Sequence, residues 1–102
     1  MTDLDVVKHT PNVSGWEVLE EQEDGRAVRK LVRTFHFDSF SEVFAFVRRA
    51  GELIEKEQHH PRFTVEADRV SFVTWTHAVR GLHENDFILA AKLNELSRKH
   101  DD

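Results

Sequence analysis

The stretch that decides the fold is DGRAVRKLVRTFHF, residues 24–37. Asp24-Gly25 is a pair suited to a tight hairpin, because both residues tolerate the positive φ such turns need. Beyond it, Ala27 to Phe37 reads as a strand: Leu31, Arg33, Phe35 and Phe37 alternate with Val32, Thr34 and His36. Back across the turn, Trp16 to Glu21 reads as its partner. There Trp16, Val18 and Glu20 share one side, and Glu17 and Leu19 the other. Forward from the strand, Ser39 and Glu42 stand three residues apart, the spacing of a capping box. Phe40, Val43, Phe44, Val47 and Ile54 then keep helical spacing, with Phe46, Ala50 and Leu53 widening the stripe. A stripe this broad asks for two packing surfaces, the sheet and a partner subunit. Gly51 inside it costs about 1 kcal/mol relative to Ala, which marks either close helix packing or a weak point. Pro61 disfavours α geometry in the residue before it, so the helix ends by about Gln58–His60.

Phe63 to Ala67 and Val70 to Thr76 form a second hairpin around Asp68. Val70, Phe72, Thr74 and Thr76 face one way; Ser71, Val73, Trp75 and His77 face the other. Gly81 breaks the chain. Glu84 to Lys99 is the last helix, its apolar side carrying Phe87, Ala90, Ala91, Leu93 (or Asn94) and Leu96. Arg98 and Lys99 suit its C-terminal dipole. The order β-β-α-β-β-α gives an α+β fold, a four-stranded antiparallel sheet with helices packed on one face. Residues 1–102 make a single domain. Pro11, Asn12, Ser14 and Gly15 are turn formers, so residues 1–15 read as loosely ordered, with room for little more than one helical turn.

Composition narrows the function. Of 102 residues, 39% are hydrophobic and 32% charged, the balance of a small globular domain. The net charge of −5 argues against a nucleic-acid partner, which needs a basic face. No apolar run approaches a membrane span. Without cysteine, disulfides, thiolate nucleophiles and Cys-ligated zinc are excluded. The acidic start, unlike a signal peptide, and the missing cysteines place the chain in the cytoplasm.

Seven histidines are an excess for this length, and two are adjacent. His59-His60-Pro61 sits at a helix-to-strand junction, His77 at the end of the second hairpin strand, and Asp86 in the first turn of the last helix. Side chains at such ends can converge on a cleft while the scaffold holds them. Imidazole titrates near neutral pH and so can give and take protons there. A carboxylate on one ring nitrogen fixes the tautomer that presents the other. Each position also has an ordinary structural account. Adjacent loop histidines are commonly solvated, His77 could finish a strand, Asp86 could bond back to a helix cap at His83, and Glu55 could be an exposed helix charge. A metal site on His59, His60 and His77 is a second chemical reading, though adjacent side chains point apart and the i,i+4 His pair of a zincin is absent. No phosphate loop or nucleophile elbow is present.

The set resembles the pterin-4a-carbinolamine dehydratases. That family's signature stands here as Glu55-Lys56-Glu57-Gln58-His59-His60-Pro61, then Thr76-His77, then Gly81-Leu82-His83-Glu84-Asn85-Asp86. Similarity extends more weakly over Trp16 to Leu96, including Gly15-Trp16-Glu17. The resemblance implies dehydration of a 4a-hydroxytetrahydropterin to a quinonoid dihydropterin, in tetrahydrobiopterin recycling, with no metal and no other cofactor. It assigns His59, His60, His77 and Asp86 to catalysis, and Glu55, His60, Pro61 and Thr76 to substrate binding. Within it, His59 and His77 are the acid/base pair, His60 holds the pterin and Asp86 orients an imidazole. It also implies a homodimer or homotetramer, a way to cover open sheet edges. The alternative is a non-catalytic interaction module, since the family includes a member that stabilises dimers of a transcription factor. Two positions depart from the pattern. Ala67 stands where an aromatic residue commonly precedes the hairpin turn, and His83 where Ser or Thr often caps the last helix.

Overall fold

The computed structural model describes residue 2 and residues 13–100. The stretch before Pro11, read as loosely ordered with room for little more than one helical turn, lies outside these residues apart from Thr2. Residues 13–15 form a turn leading into the first strand. Val13 is buried, and its carbonyl accepts from the Trp16 amide at 3.2 Å. Gly15 holds this turn at φ +83°, and a Cβ there would meet the Arg33 guanidinium at 2.7 Å, so no other residue fits without displacing Arg33.

Strand β1 (Glu17–Glu23) pairs antiparallel with β2 (Arg26–His36). Asp24 and Gly25 join them at φ 51° and 77°, the doubly positive turn that matches strand twist. Helix α1 (Phe40–Glu57) crosses to β3 (Arg62–Glu66), which turns back into β4 (Arg69–Thr74). A 3-10 turn (His77–Val79) leads to helix α2 (Glu84–His100). The sheet order is β1-β2-β4-β3, all neighbours antiparallel. The expected order β-β-α-β-β-α is observed.

The core fills the space between one sheet face and the helices. Leu31 and Phe35 of β2, Val70 and Phe72 of β4, Val43, Phe46, Ala50 and Ile54 of α1, and Phe87, Leu89, Ala90 and Leu93 of α2 are all buried there. Phe35, Phe46 and Phe72 meet with ring centroids 5.1–6.1 Å apart, the range of favourable aromatic pairs. Asn94 ties α2 to the N-terminal turn. Its side chain accepts from Trp16 Nε1 at 2.8 Å and donates to the Ser14 carbonyl at 2.9 Å.

Phe40 and Phe44, part of the broad apolar stripe, lie off the core seam: they are 58% and 65% exposed and touch each other on the outer side of α1. Three local expectations change. Ala91 is exposed and Leu89 takes its place in the core. Gly51 packs against nothing, since an added Cβ would find open space; it is the weak point and not a close crossing. Finally, β4 stops at Thr74. Thr76 instead bridges to Gly81, its amide donating to the Gly81 carbonyl at 2.8 Å. His77 therefore opens the 3-10 turn and does not end a strand.

Candidate active site

Three chain ends meet beside the last residues of β4. The first is the exit from α1. Ser39 Oγ caps the start of this helix by accepting from the Glu42 amide at 3.2 Å. Glu42 reaches back to the Asp38 amide at 3.0 Å, one residue earlier than the usual reciprocal bond. The helix stops at Gln58, whose φ of 54° is left-handed and whose amide returns to the Ile54 carbonyl at 3.0 Å. Pro61 follows in an extended segment, so His59 and His60 lie between a helix stop and a strand start.

The second end is the start of α2, where His83 is the cap. Its ring Nδ1 accepts from the Asn85 amide at 3.1 Å, replacing the hydroxyl that usually does this. Asp86, three residues on, accepts from the His83 amide at 3.0 Å, completing a capping box in which histidine and aspartate stand for Ser/Thr and Glu.

The third end is β4 itself. Asp86 is fully buried, and four donors converge on its carboxylate. Oδ1 accepts from His59 Nε2 at 2.6 Å and from the Thr74 hydroxyl at 2.6 Å. Oδ2 accepts from the Thr76 hydroxyl at 2.9 Å and from the His83 amide. An ionised carboxylate only accepts, so this contact pairs it with the Nε2–H tautomer of His59. His59 is 18% exposed at its side chain, so the ring is held without being sealed. It lines a hollow of about 80 Å³ with Glu57, Asn85, Ile88 and Leu89.

The other predicted site residues lie apart from this network. His60 Nε2 is 3.3 Å from Glu55 Oε2, and both side chains are exposed. Pro61 is half-buried. His77 is exposed, its ring centroid 4.8 Å from that of Trp75. These two line a separate cavity of about 280 Å³ with Glu23, Asp24, Val28 and Arg80. The structure thus joins His59, Thr76 and Asp86 in one set of hydrogen bonds and His60 with Glu55 in another. His77 follows Thr76 directly in the chain but faces a different hollow from His59. Among the described residues, no group of three or more histidine and acidic side chains is placed to hold a metal ion.

Sequence reasoning missed Thr74 and Lys30. The alternation did put Thr74 on the buried side with Val70 and Phe72, and a hydroxyl there needs a partner. Lys30 belongs to the sheet face away from the helices yet is only 2% exposed. Its ammonium lies 2.8 Å from Glu21 and 2.9 Å from Glu23, and 4.0 Å from the Trp75 ring centroid. Burial depresses its pKa, but the two carboxylates outweigh that and leave it above the ordinary lysine value.

Comparison with known proteins agrees with this architecture. The family model described as pterin 4 alpha carbinolamine dehydratase matches residues 1–96. A Chlorobium luteolum protein provisionally named as such a dehydratase is 51% identical over 81 residues, covering 79% of this chain and 68% of its own. A Methylococcus capsulatus protein with the same provisional name is 40% identical over 97 residues, covering 95% and 80%. The crystal structure of a transcriptional coactivator/pterin dehydratase from Brucella melitensis has a TM-score of 0.80 at 30% identity, covering 95% of this chain and 97% of that one. A pterin dehydratase-like protein identified as a RuBisCO assembly factor in the alpha-carboxysome shares the fold, with a TM-score of 0.64 at 20% identity over 79% of this chain and 89% of that one. The chain belongs to the pterin 4 alpha carbinolamine dehydratase family.

Proposed function

We propose that this chain removes water from 4a-hydroxytetrahydropterins by histidine acid/base catalysis. The observation that carries the reading is the His59–Asp86 bond at 2.6 Å, made to a carboxylate that three further donors lock in place. Dehydration at C4a needs a proton delivered to the departing hydroxyl and a proton taken from the neighbouring ring nitrogen. Both transfers suit imidazoles near neutral pH. Asp86 fixes the tautomer of His59 so that Nδ1 faces the substrate as an acceptor, and it stabilises the imidazolium formed once the proton arrives. His77 is the second acid/base group, an assignment that requires the substrate to reach from the hollow beside His59 to the cavity lined by His77. His60, tethered to Glu55, is a pterin contact and not a proton carrier. The reaction needs no metal or nucleotide, and the assembly is a homodimer or homotetramer working in the cytoplasm as part of tetrahydropterin recycling.

The test is direct. Dehydration of a 4a-hydroxytetrahydropterin is followed spectroscopically with wild type, His59→Ala and His77→Ala. The reading expects acceleration by wild type and a loss of about 10²–10⁴-fold in each variant. A wild type no faster than buffer ends it, as does a double variant with full activity.

A further inference from the structure

Helix α2 starts on a histidine ring where helices usually carry a hydroxyl or a carboxylate, and that ring can take up a proton. We infer that His83 is a positioning residue for the dehydration, and that a proton on its ring loosens the hold on His59, so that the site answers to acid through two imidazoles and not one. This coupling rests on the dehydratase reading for the reaction it governs, and it adds to that reading a form of regulation which the reaction itself does not require.

Two routes join the His83 ring to His59. The first runs through Asp86. The His83 amide donates to Asp86 Oδ2 at 3.0 Å, and the Asp86 amide returns to the His83 carbonyl at 2.9 Å. The other oxygen of that carboxylate accepts from His59 Nε2 at 2.6 Å. The second route runs through Asn85. Its amide donates to His83 Nδ1 at 3.1 Å, and Asn85 lines the hollow of about 80 Å³ beside His59. The ring therefore holds the first turn of α2, and that turn carries both the carboxylate on His59 and a wall of its hollow.

Only a ring with a bare Nδ1 can hold the turn. Neutral imidazole offers one acceptor nitrogen, whereas the imidazolium has two N–H donors and no acceptor. His83 is exposed, so water can deliver the proton, and imidazoles take it up just below neutral pH. The Asn85 amide then faces another donor and loses its partner, while a positive charge stands at the positive end of the helix dipole. The charge also acts on the chemistry. Asp86 stabilises the imidazolium that His59 becomes in turnover, and a second cation next to that carboxylate opposes it. The charged and titratable groups around the cap are Glu84 and Asp86 on α2, His59 at the exit of α1, and Arg80, three residues before His83 in the chain. Glu57 of α1 lines the same hollow as Asn85 and is paired with Lys92. Thr76, past the end of β4, brings a neutral hydroxyl to Asp86. A serine at the cap would not respond in this way, because its hydroxyl keeps its acceptor lone pairs as the pH falls.

The test compares wild type with His83→Ser, which keeps a cap that does not titrate, and His83→Ala, which removes the cap. Dehydration kinetics are measured from about pH 5 to pH 8, the range in which imidazole changes charge, and nitrogen-15 spectra follow the His59 ring over the same range. At the upper end, His83→Ser should keep kcat within about twofold of wild type, and His83→Ala should lose about tenfold or more in kcat with KM nearly unchanged. As the pH falls, kcat/KM of wild type should drop with the dependence of two protons and that of His83→Ser with one. The His59 ring of wild type should show two inflections, its own and one transmitted from His83, and the Ser variant only the first. The Ser variant carries the pH test whether or not His83→Ala folds. A Ser variant whose acid limb matches wild type, a wild-type His59 ring with a single inflection, or a folded His83→Ala with wild-type kcat overturns the coupling and leaves dehydration standing. A wild type without dehydratase activity ends the enzyme reading, and the spectra then decide the coupling by themselves: a second inflection that His83→Ser abolishes supports it, and a single inflection in wild type overturns it.

Discussion

Replacing Asp86 by asparagine keeps the shape of a fully buried side chain and changes only its charge and donor pattern. The four donors are not equal in their response. The His83 backbone amide can only donate, so the oxygen of the new carboxamide must stay on that side, with the Thr76 hydroxyl. The new NH2 group then replaces Oδ1 and faces Thr74 and His59. The Thr74 hydroxyl can rotate to accept. His59 can accept on Nε2 only by moving its proton to Nδ1, which inverts the tautomer shown to the substrate. For stability, each hydrogen bond to a charged group is worth ~1.5–3 kcal/mol and a neutral one ~0.5–1.5. Four such downgrades would total ~4 kcal/mol, offset by the smaller cost of burying an amide than a carboxylate. The expected net loss for Asp86→Asn is about 1–3 kcal/mol by denaturant unfolding, with a folded variant at room temperature. For catalysis, an inverted tautomer removes the base, and the rate should fall by about 10²–10⁴-fold. Nitrogen-15 spectra of the His59 ring report the tautomer, and single-turnover dehydration reports the rate. A variant that keeps wild-type turnover with Nε2 still protonated refutes the orienting role of Asp86.

Other expectations follow from the packing and the charges. Phe72→Ala removes a ring shared by Trp16, Phe35, Phe46 and Phe63, and should cost about 3–5 kcal/mol in chemical denaturation. Gly51→Ala fills open space on an exposed part of α1 and should stabilise by about 0.5–1 kcal/mol on the same measurement, provided the position stays uncovered. Lys30 has its folded pKa raised above 10.5, so its contribution is complete below the unfolded value and disappears as pH rises through the folded one. Melting temperature should therefore fall more steeply at pH above about 10.5 in wild type than in Lys30→Met.

The sequence made the sheet legible because one face is buried and the other is not. Leu31, Phe35, Val70 and Phe72 recur at the strand period and all reach the core. The Asp24-Gly25 turn and the Ser39 cap were equally plain, since each depends on local chemistry alone. What failed depended on distant residues. Phe40 and Phe44 share the spacing of Val43 and Phe46; the breadth of the stripe asked for a second surface, but which of its residues face away from the core is set by where the sheet lies. Lys30 reads as a solvent-facing lysine; it is buried because the Glu21–Glu23 end of one hairpin and Trp75, just past the end of β4, close over it. The histidines were found by type and position, but their grouping was not. The shift of His77 into a 3-10 turn follows from the Thr76–Gly81 bridge, which no local propensity announces.

For Asp86, the helix cap and the contact with His59 belong to one arrangement. As third residue of α2 it must satisfy the His83 amide, and that bond alone would leave one carboxylate oxygen free in a buried place. Burying an unpaired oxygen is costly, so the fold supplies Thr74, Thr76 and His59 to fill it. The cap fixes the carboxylate along the helix, and the two threonines fix it against the sheet. The imidazole is the one partner among the four that carries a second ring nitrogen, left over for a guest. A group held by three rigid donors moves little when the fourth changes charge. That is the condition for an aspartate to stabilise an imidazolium without reorganising, and it explains why the site sits where a strand end meets a helix start and not on a loop. Any residue that loosens the cap, including one as far from the chemistry as His83, should therefore be felt at His59.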